Sequence, residues 1–364
     1  MAEVTEASGS FERRPRLRAM SLAELERVRL ILRGGSVVDW YRLLFESLDD
    51  ARAFVRLQGG DPADPRDQAR LQSLRDVAAR YLHDEHAYRV PAELLSCEPL
   101  ELFLYASEKR GRRRDRFFAC LLLKTMHIVH HIEARELRFR LPLSQSRLAE
   151  LLADKVDGFA RSLLAEGFAL VRYTGGEKSL SSLVTKLLVK KEHHAATIHD
   201  RVRFRFVVEH PFDIVELLVR MTQQLFPYNY VAPGQTVNGL VSFTAMTESH
   251  PQLRTLASSL QVGLGHEEAA LQSENEFSGP SYRVVSVVVD VPIRVPDDVL
   301  LHMERGTDLG RVVFGLAELQ IVDRATDDEN ERGENRHDRY RARQLLKVRD
   351  RLERGMRGAR EDEP

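Results

Sequence analysis

Lys178, Ser182 and Lys186 stand four residues apart, and Asp200 and Arg205 follow them, the arginine leading into Phe206-Val-Val208. On a helix, a spacing of four returns to the same face about one turn further on, so two ammonium groups and a hydroxyl would line one side. Cations of that kind beside a carboxylate are the parts that hold a polyphosphate and a hard divalent ion next to each other. Further along, Glu318 and Gln320 lie two apart in a strand-like run, and strand alternation points a carboxylate and an amide to one side. Each piece also has an ordinary reading: a solvated helix face carries lysines at this spacing, and an aspartate can cap a strand. Asp200 and Arg205 are an odd number apart, so they share a side only if the strand starts irregularly.

Such groups need a sheet and helices to position them. The 364 residues suffice for roughly two domains. From Ser21 to about Arg140 the apolar residues recur at helical spacing, as in Leu22, Leu25, Val28, Ile31 and Leu32. Helices are expected from Ser21 to Gly34, then near 38 to 47, 50 to 57, 65 to 83, 99 to 107 and 114 to 137. Ser144 opens another, with Leu148, Leu152, Val156, Phe159 and Leu163 on one face. The period then changes: strands are expected at 201 to 209, 228 to 232, 237 to 246, 282 to 294 and 311 to 322, with helices at 179 to 191 and 212 to 226. The predicted fold class is therefore α+β, a mixed sheet flanked by helices and preceded by an all-helical N-terminal domain. The expected boundaries are a tail over 1–20, the helical domain over 21–140, the sheet domain over 141–345 and a charged helix end and tail over 346–364. The acidic stretch from Gly263 to Gly279 reads as a long loop.

Near-balanced charge, 54 basic against 55 acidic residues, gives no global attraction to nucleic acid and leaves room only for a local basic groove. Cys97 and Cys120 lack metal-type spacing and read as reduced core thiols. The N-terminus is polar and arginine-rich without a signal-like apolar core, and no apolar run approaches the roughly 20 residues of a membrane span. A soluble, cytoplasmic protein is expected. His127, His130 and His131 lie in a helical apolar segment; His-x3-His without the glutamate of the zinc-protease motif is weak evidence for a metal, and hydrogen-bonded or interdomain histidines are the expectation.

From Gly176 to Tyr340 the pieces, in order, resemble the synthetase domain of the RelA/SpoT family, the (p)ppGpp-producing alarmone enzymes of the stringent response. Lys178, Ser182 and Lys186 fit its Lys-x3-Ser-x3-Lys helix, and Asp200 with Arg205 fits its Asp-x4-Arg strand. Asn229-Tyr230-Val-Ala-Pro233 and Asn238-Gly239 resemble its Asp-Tyr-Ile-x2-Pro-Lys and Asn-Gly-Tyr-Gln-Ser-Leu-His signature, and Glu318-Leu-Gln320-Ile fits Glu-x-Gln-Ile-Arg. Glu331-x-Gly333-x3-His337-x2-Tyr340 resembles the segment that follows. Asp290-Val-Pro-Ile-Arg294 competes with Glu318 but lacks the glutamine and carries Pro292.

The resemblance implies a nucleotidyltransferase-like fold and a pyrophosphokinase that moves pyrophosphate from ATP to the 3′-hydroxyl of GDP, GTP or another nucleotide. By resemblance, Lys178, Ser182, Lys186 and Arg205 contact ATP phosphates, Asp200 and Glu318 hold magnesium, and Gln320 joins Glu318 at the reacting centre. Tyr230, Asn238, Leu240 and His337 fall on the acceptor side. This chain departs from the pattern there: Asn229, Gly234, Leu240, Val241, Thr244, Val322 and Asp338 replace the family's residues. Leu240 stands for a tyrosine that stacks on guanine, and a leucine offers no π face. Those losses keep two other readings open, a catalytically silent nucleotide-binding module and transfer to an RNA 3′ end; a helical scaffold with a protein-binding sheet is a third. His83-Asp84 lacks the acidic pair of the family's hydrolase domain, so the helical half shows no hydrolase signature.

Overall fold

Ser21 starts the first helix as a capping box: its hydroxyl accepts from the Glu24 N–H at 3.3 Å, and the Glu24 carboxylate accepts from the Ser21 N–H at 2.8 Å. That helix, α1 (Leu22–Arg33), ends at Gly34, whose φ of 61° suits a residue without a Cβ. The computed structural model describes residues 20–34, 44–189, 202–242, 282–300, 309–332 and 337–354. Ser47 and Asp50 repeat the box for α2 (Leu48–Leu57), and Asp64 with Pro65 at the first turn begins α3 (Pro65–His86). Short α4 (Ala92–Ser96) and α5 (Glu101–Ala106) lead to α6 (Arg113–Arg140), which buries Phe118, Leu122, Met126 and Leu137. Ser144 caps α7 (Gln145–Ala165), accepting from Arg147 N–H at 3.0 Å. The helix expected near 38 to 47 falls largely outside the described residues, and 44–46 form coil.

The sheet follows, with strands β1 (Leu170–Glu177), β2 (Val202–Val208), β3 (Val237–Asn238), β4 (Val285–Arg294) and β5 (Val312–Asp323). Helices α8 (Leu180–Val189), α9 (Pro211–Gln224), α10 (Asp297–Leu300), α11 (Arg324–Asn330) and α12 (His337–Glu353) lie between and after them. The five strands run in the order β1-β2-β5-β4-β3. β2 and β5 pair in parallel, and the other pairs are antiparallel. The α+β class with a mixed sheet is as expected from the pattern.

Two local differences have physical causes, and a third is one of extent. β1 is not among the expected strands, and its sequence, Leu-Val-Arg-Tyr-Thr-Gly-Gly-Glu, carries a Gly-Gly pair that weakens a strand signal. Gly175 is there because a Cβ would come within 2.1 Å of the Phe204 ring, which is 1% exposed. The expected strand at 228 to 232 is a 3₁₀ turn over Tyr228–Tyr230 and a single bridge from Val231 to Val289, bracketed by Pro227 and Pro233. The strand expected at 237 to 246 pairs only at Val237 and Asn238, and residues from 243 lie outside the described part, as does the loop from Gly263 to Gly279.

Alternation divides the sheet into two faces. Phe204, Phe206 and Val208 of β2, Val285, Val287 and Val289 of β4, and Ala317, Leu319 and Ile321 of β5 join one buried cluster. That cluster also takes in Leu25 and Ile31 of α1, Leu122 of α6 and Leu152 of α7. The helical half and the sheet thus share a continuous core. The opposite face carries the charges.

Candidate functional site

On that opposite face the register sets residues side by side. Gly176, Arg203, Glu318 and Val288 form one row across β1, β2, β5 and β4; Thr174, Arg205, Gln320 and Ser286 form the next. Parallel pairing of β2 with β5 is what lays two arginines beside a carboxylate and an amide more than a hundred residues away in sequence.

Glu318 is 8% exposed and takes three donors. Arg203 Nε reaches one carboxylate oxygen at 2.8 Å, while the Ser286 hydroxyl at 3.1 Å and the Gln320 amide at 2.8 Å reach the other. Arg203 itself is open to solvent, with a side chain 37% exposed. Arg205 donates from Nε and Nη2 to one oxygen of Asp327 at 3.0 and 2.6 Å, and from Nη1 to the Tyr282 hydroxyl at 3.3 Å. Burial works against its charge, but Tyr282 and Asp327 outweigh it and hold the guanidinium above its ordinary value. Arg172 pairs with the second oxygen of Asp327. Asp327 is in place because Asp323 caps α11, accepting from Thr326 N–H at 3.0 Å, and so turns the helix back over the sheet.

The lysine segment begins at the same end of the sheet. Lys178 follows Glu177, which pairs with Val202 one step from the Arg203–Glu318 row. Lys178 stands just ahead of α8 rather than on it, because Ser179 takes the capping place and its hydroxyl accepts from Ser182 N–H at 3.4 Å. Ser182 and Lys186 are one turn apart on α8. That helix packs on α12 through Val189 and Val348, and Arg351 Nη1 donates to the Leu188 carbonyl at 2.6 Å. The segment starting at His337 is thereby joined to the lysine helix.

The other expected residues divide. Asp200 lies outside the described residues, as do Thr244 and the His193-His194 pair. Leu240 packs with Val322 against Val207 and Val284, so two departures from the family pattern meet in one apolar patch at the edge of the charged rows. Asn238 is consumed by its own turn: its amide donates to the Val241 carbonyl at 2.8 Å and its oxygen accepts from Val241 N–H at 2.9 Å. Tyr230 stands apart from the rows. It is 1% exposed, with its ring against His127, His131 and Phe314 between α6 and the sheet. The competing carboxylate Asp290 also lies under α6, with its oxygen 3.9 Å from His131 Nε2, and desolvation raises it to about 6. Arg203, Ser286, Tyr282 and Asp327 were not singled out from the sequence. Only Arg203 carried a local signal, two residues before Arg205 on a strand.

Magnesium takes oxygen ligands and is commonly held by one or two carboxylates together with substrate phosphates. Glu318 is a donor of that kind, though Arg203 already engages one of its oxygens. Among the described residues no group of three or more His, Cys, Asp or Glu side chains could hold a metal ion. The free thiols Cys97 and Cys120 are pushed up by burial and lie in the helical half. Among the described residues no helix is long and apolar enough to cross a membrane.

No family model matches the chain, and no curated protein matches it. Among solved structures it is similar to small alarmone synthetase 2 from Bacillus subtilis, at 14% identity over 60% of this chain and 99% of that one, with a TM-score of 0.30. Small alarmone synthetase 1 from Bacillus subtilis bound to its product pppGpp gives 17% identity over 63% and 97%, with a TM-score of 0.30. A GTP pyrophosphokinase family protein from Streptococcus pneumoniae gives 16% identity over 60% and 89%, with a TM-score of 0.28.

Proposed function

We propose that the chain transfers pyrophosphate from ATP to the 3′-hydroxyl of a nucleotide, GDP, GTP or another acceptor, in a magnesium-dependent reaction. The observation that carries this reading is the pair of adjacent rows in which Arg203, Arg205, Glu318 and Gln320 share one sheet face at the end where the Lys178 segment begins. In the reaction the acceptor oxygen bonds to the β-phosphorus, the bond from that phosphorus to the oxygen bridging to the α-phosphate breaks, and AMP leaves. Lys178, Lys186, Arg203 and Arg205 neutralise phosphate charge, and the Glu318 carboxylate takes the hydroxyl proton. Asp200 and Glu318 would hold magnesium, which supplies further neutralisation of the phosphate oxygens. Gln320 keeps the Glu318 carboxylate oriented through its 2.8 Å contact.

One observation favours a second reading, a silent nucleotide-binding module. Glu318 and Asp327 already have arginine partners, so the charges are balanced within the protein. The two readings part in one assay: incubation with γ-labelled ATP, magnesium and GDP, GTP or an RNA with a free 3′-hydroxyl. Label on an acceptor with matching AMP release supports transfer, and the labelled species identifies the acceptor. ATP binding without AMP release supports the silent module.

A further inference from the structure

The helical half carries a run of rings open to solvent. Tyr81, Tyr88 and Phe117 are 48%, 37% and 50% exposed, where rings recruited only for packing would be buried. They form one chain of contacts across the end of α3 and the start of α6. Ring centres lie 5.4 Å apart from Tyr81 to His86, 6.0 Å from His86 to Tyr88 and 6.1 Å from Tyr88 to Phe117. Ala87 joins the two ends. It closes α3 in the left-handed region, at φ 54°, with the Tyr88 N–H donating to the Leu82 carbonyl at 3.0 Å, and so turns Tyr88 back against α6.

Cations flank the rings. Residues 109–117 hold six basic side chains against one acidic one, in a chain whose total charge is balanced. Lys109, Arg110 and Arg116 are matched by Glu46, Glu101 and Glu108. Among the described residues the exposed Arg80, Arg89, Arg112, Arg113 and Arg114 have no carboxylate partner. Arg114 lies 5.7 Å over the Phe118 ring, and Arg113 stands one turn before Phe117 on the same side of α6. Arg113 and Arg114 occupy the first turn of α6, where the helix dipole disfavours positive charge. The acid of that turn, Asp115, is engaged as a cap, accepting from the Arg112 N–H at 2.8 Å. Folding by itself gives no reason to gather unmatched arginines and open rings in one place.

A single strand of RNA answers both features: its phosphates neutralise the arginines and its unpaired bases stack on the rings. A duplex keeps its base faces hidden, and an acidic peptide would use the cations and leave the rings bare. The hydroxyls of Tyr81 and Tyr88 and the His86 imidazole add hydrogen-bonding groups for the ribose 2′-hydroxyl, the group that separates RNA from DNA. We propose that this surface, where α3 ends and α6 begins, binds single-stranded RNA. It belongs to the helical half and stands whether or not the transfer reading does.

Fluorescence anisotropy on the full chain tests it, with an oligouridine of about 15 nucleotides whose 3′ end is phosphorylated so that it cannot serve as an acceptor. Saturable binding is expected, tighter than that of the matching oligodeoxythymidine and at least about fivefold tighter than that of duplex RNA. Three to five neutralised phosphates give a slope of log affinity on log salt of about −2 to −3.5. Arg112→Gln, Arg113→Gln and Arg114→Gln together should take about 2 off that slope. Tyr88→Ala and Phe117→Ala should each weaken binding at least about fivefold and leave the slope as it is. Melting curves establish that the variants are folded; the arginine variant, changed only at exposed positions, keeps the test open if a ring variant unfolds. No saturable binding at about 50 mM salt overturns the proposal. So does binding of duplex RNA, the DNA strand or polyglutamate as tight as that of the oligouridine, an unchanged slope in the arginine variant, or unchanged affinity in both folded ring variants.

Discussion

Replacing Glu318 with glutamine separates catalysis from folding. The carboxylate is ringed by Arg203 Nε at 2.8 Å, the Ser286 hydroxyl at 3.1 Å and the Gln320 amide at 2.8 Å. Glutamine keeps an oxygen for Ser286 and Gln320 and turns an amide toward Arg203, which loses its acceptor. Because the Arg203 side chain is 37% exposed, it can turn to water, and the ion pair itself is worth little at such a site; the stability loss should be about 1 kcal/mol or less. A positioned general base contributes roughly 10²–10⁴ in rate. Glu318→Gln should therefore cut label transfer from γ-labelled ATP by about that factor, about 3–5 kcal/mol in barrier, with a urea midpoint close to wild type. Activity within tenfold of wild type would refute the role of the carboxylate. A midpoint that collapses together with activity would show that Glu318 is structural.

Two other outcomes follow from the packing. Asp327→Ala leaves Arg205, whose side chain is 18% exposed, without its carboxylate; since Tyr282 still accepts at 3.3 Å, the cost should sit near about 3 kcal/mol, at the low end for a broken buried pair. Urea unfolding measures it, Asp327→Asn should lose less than half as much, and a change under about 1 kcal/mol contradicts the network. Acid should destabilise the interface between α6 and the sheet: burial lowers His130 to about 3 and His131 to about 4 from 6.5, so the stability they contribute is whole above 6.5 and is lost as pH falls toward those values. Asp290, raised by burial to about 6, opposes this with a single proton, so the two histidines prevail. Each uncompensated proton is worth roughly 1.4 kcal/mol per pH unit; the urea midpoint should drop between pH 7 and 5, and His130→Phe should flatten the drop. A midpoint that is level or rises in acid argues against neutral buried histidines.

Much of the local structure was legible because its causes are local. Ser21 with Glu24 and Ser144 before Leu148 mark helix starts through hydrogen bonds within one turn. Alternation in the runs at 202–208, 285–294 and 312–323 marks strands, and the two-residue spacing of Glu318 and Gln320 fixes their common side. Where the local signal misled, a distant group was the reason. At Gly175-Gly176 the glycines weaken the strand signal, yet the strand there closes because glycine clears the Phe204 ring. Tyr230 sits in a motif that resembles a nucleotide site, yet His127, His131 and Phe314 enclose it.

By itself the sequence determined most of the helices, the strands β2, β4 and β5, and the residue types that can meet a phosphate, because periodicity and capping act over a few neighbouring positions. Only the tertiary structure decided that Arg203 answers Glu318, that Asp327 gathers Arg172 and Arg205, and that Leu240 meets Val322. Those meetings depend on strand order and register, which are set by burial of the whole core and are written in no single stretch of the chain.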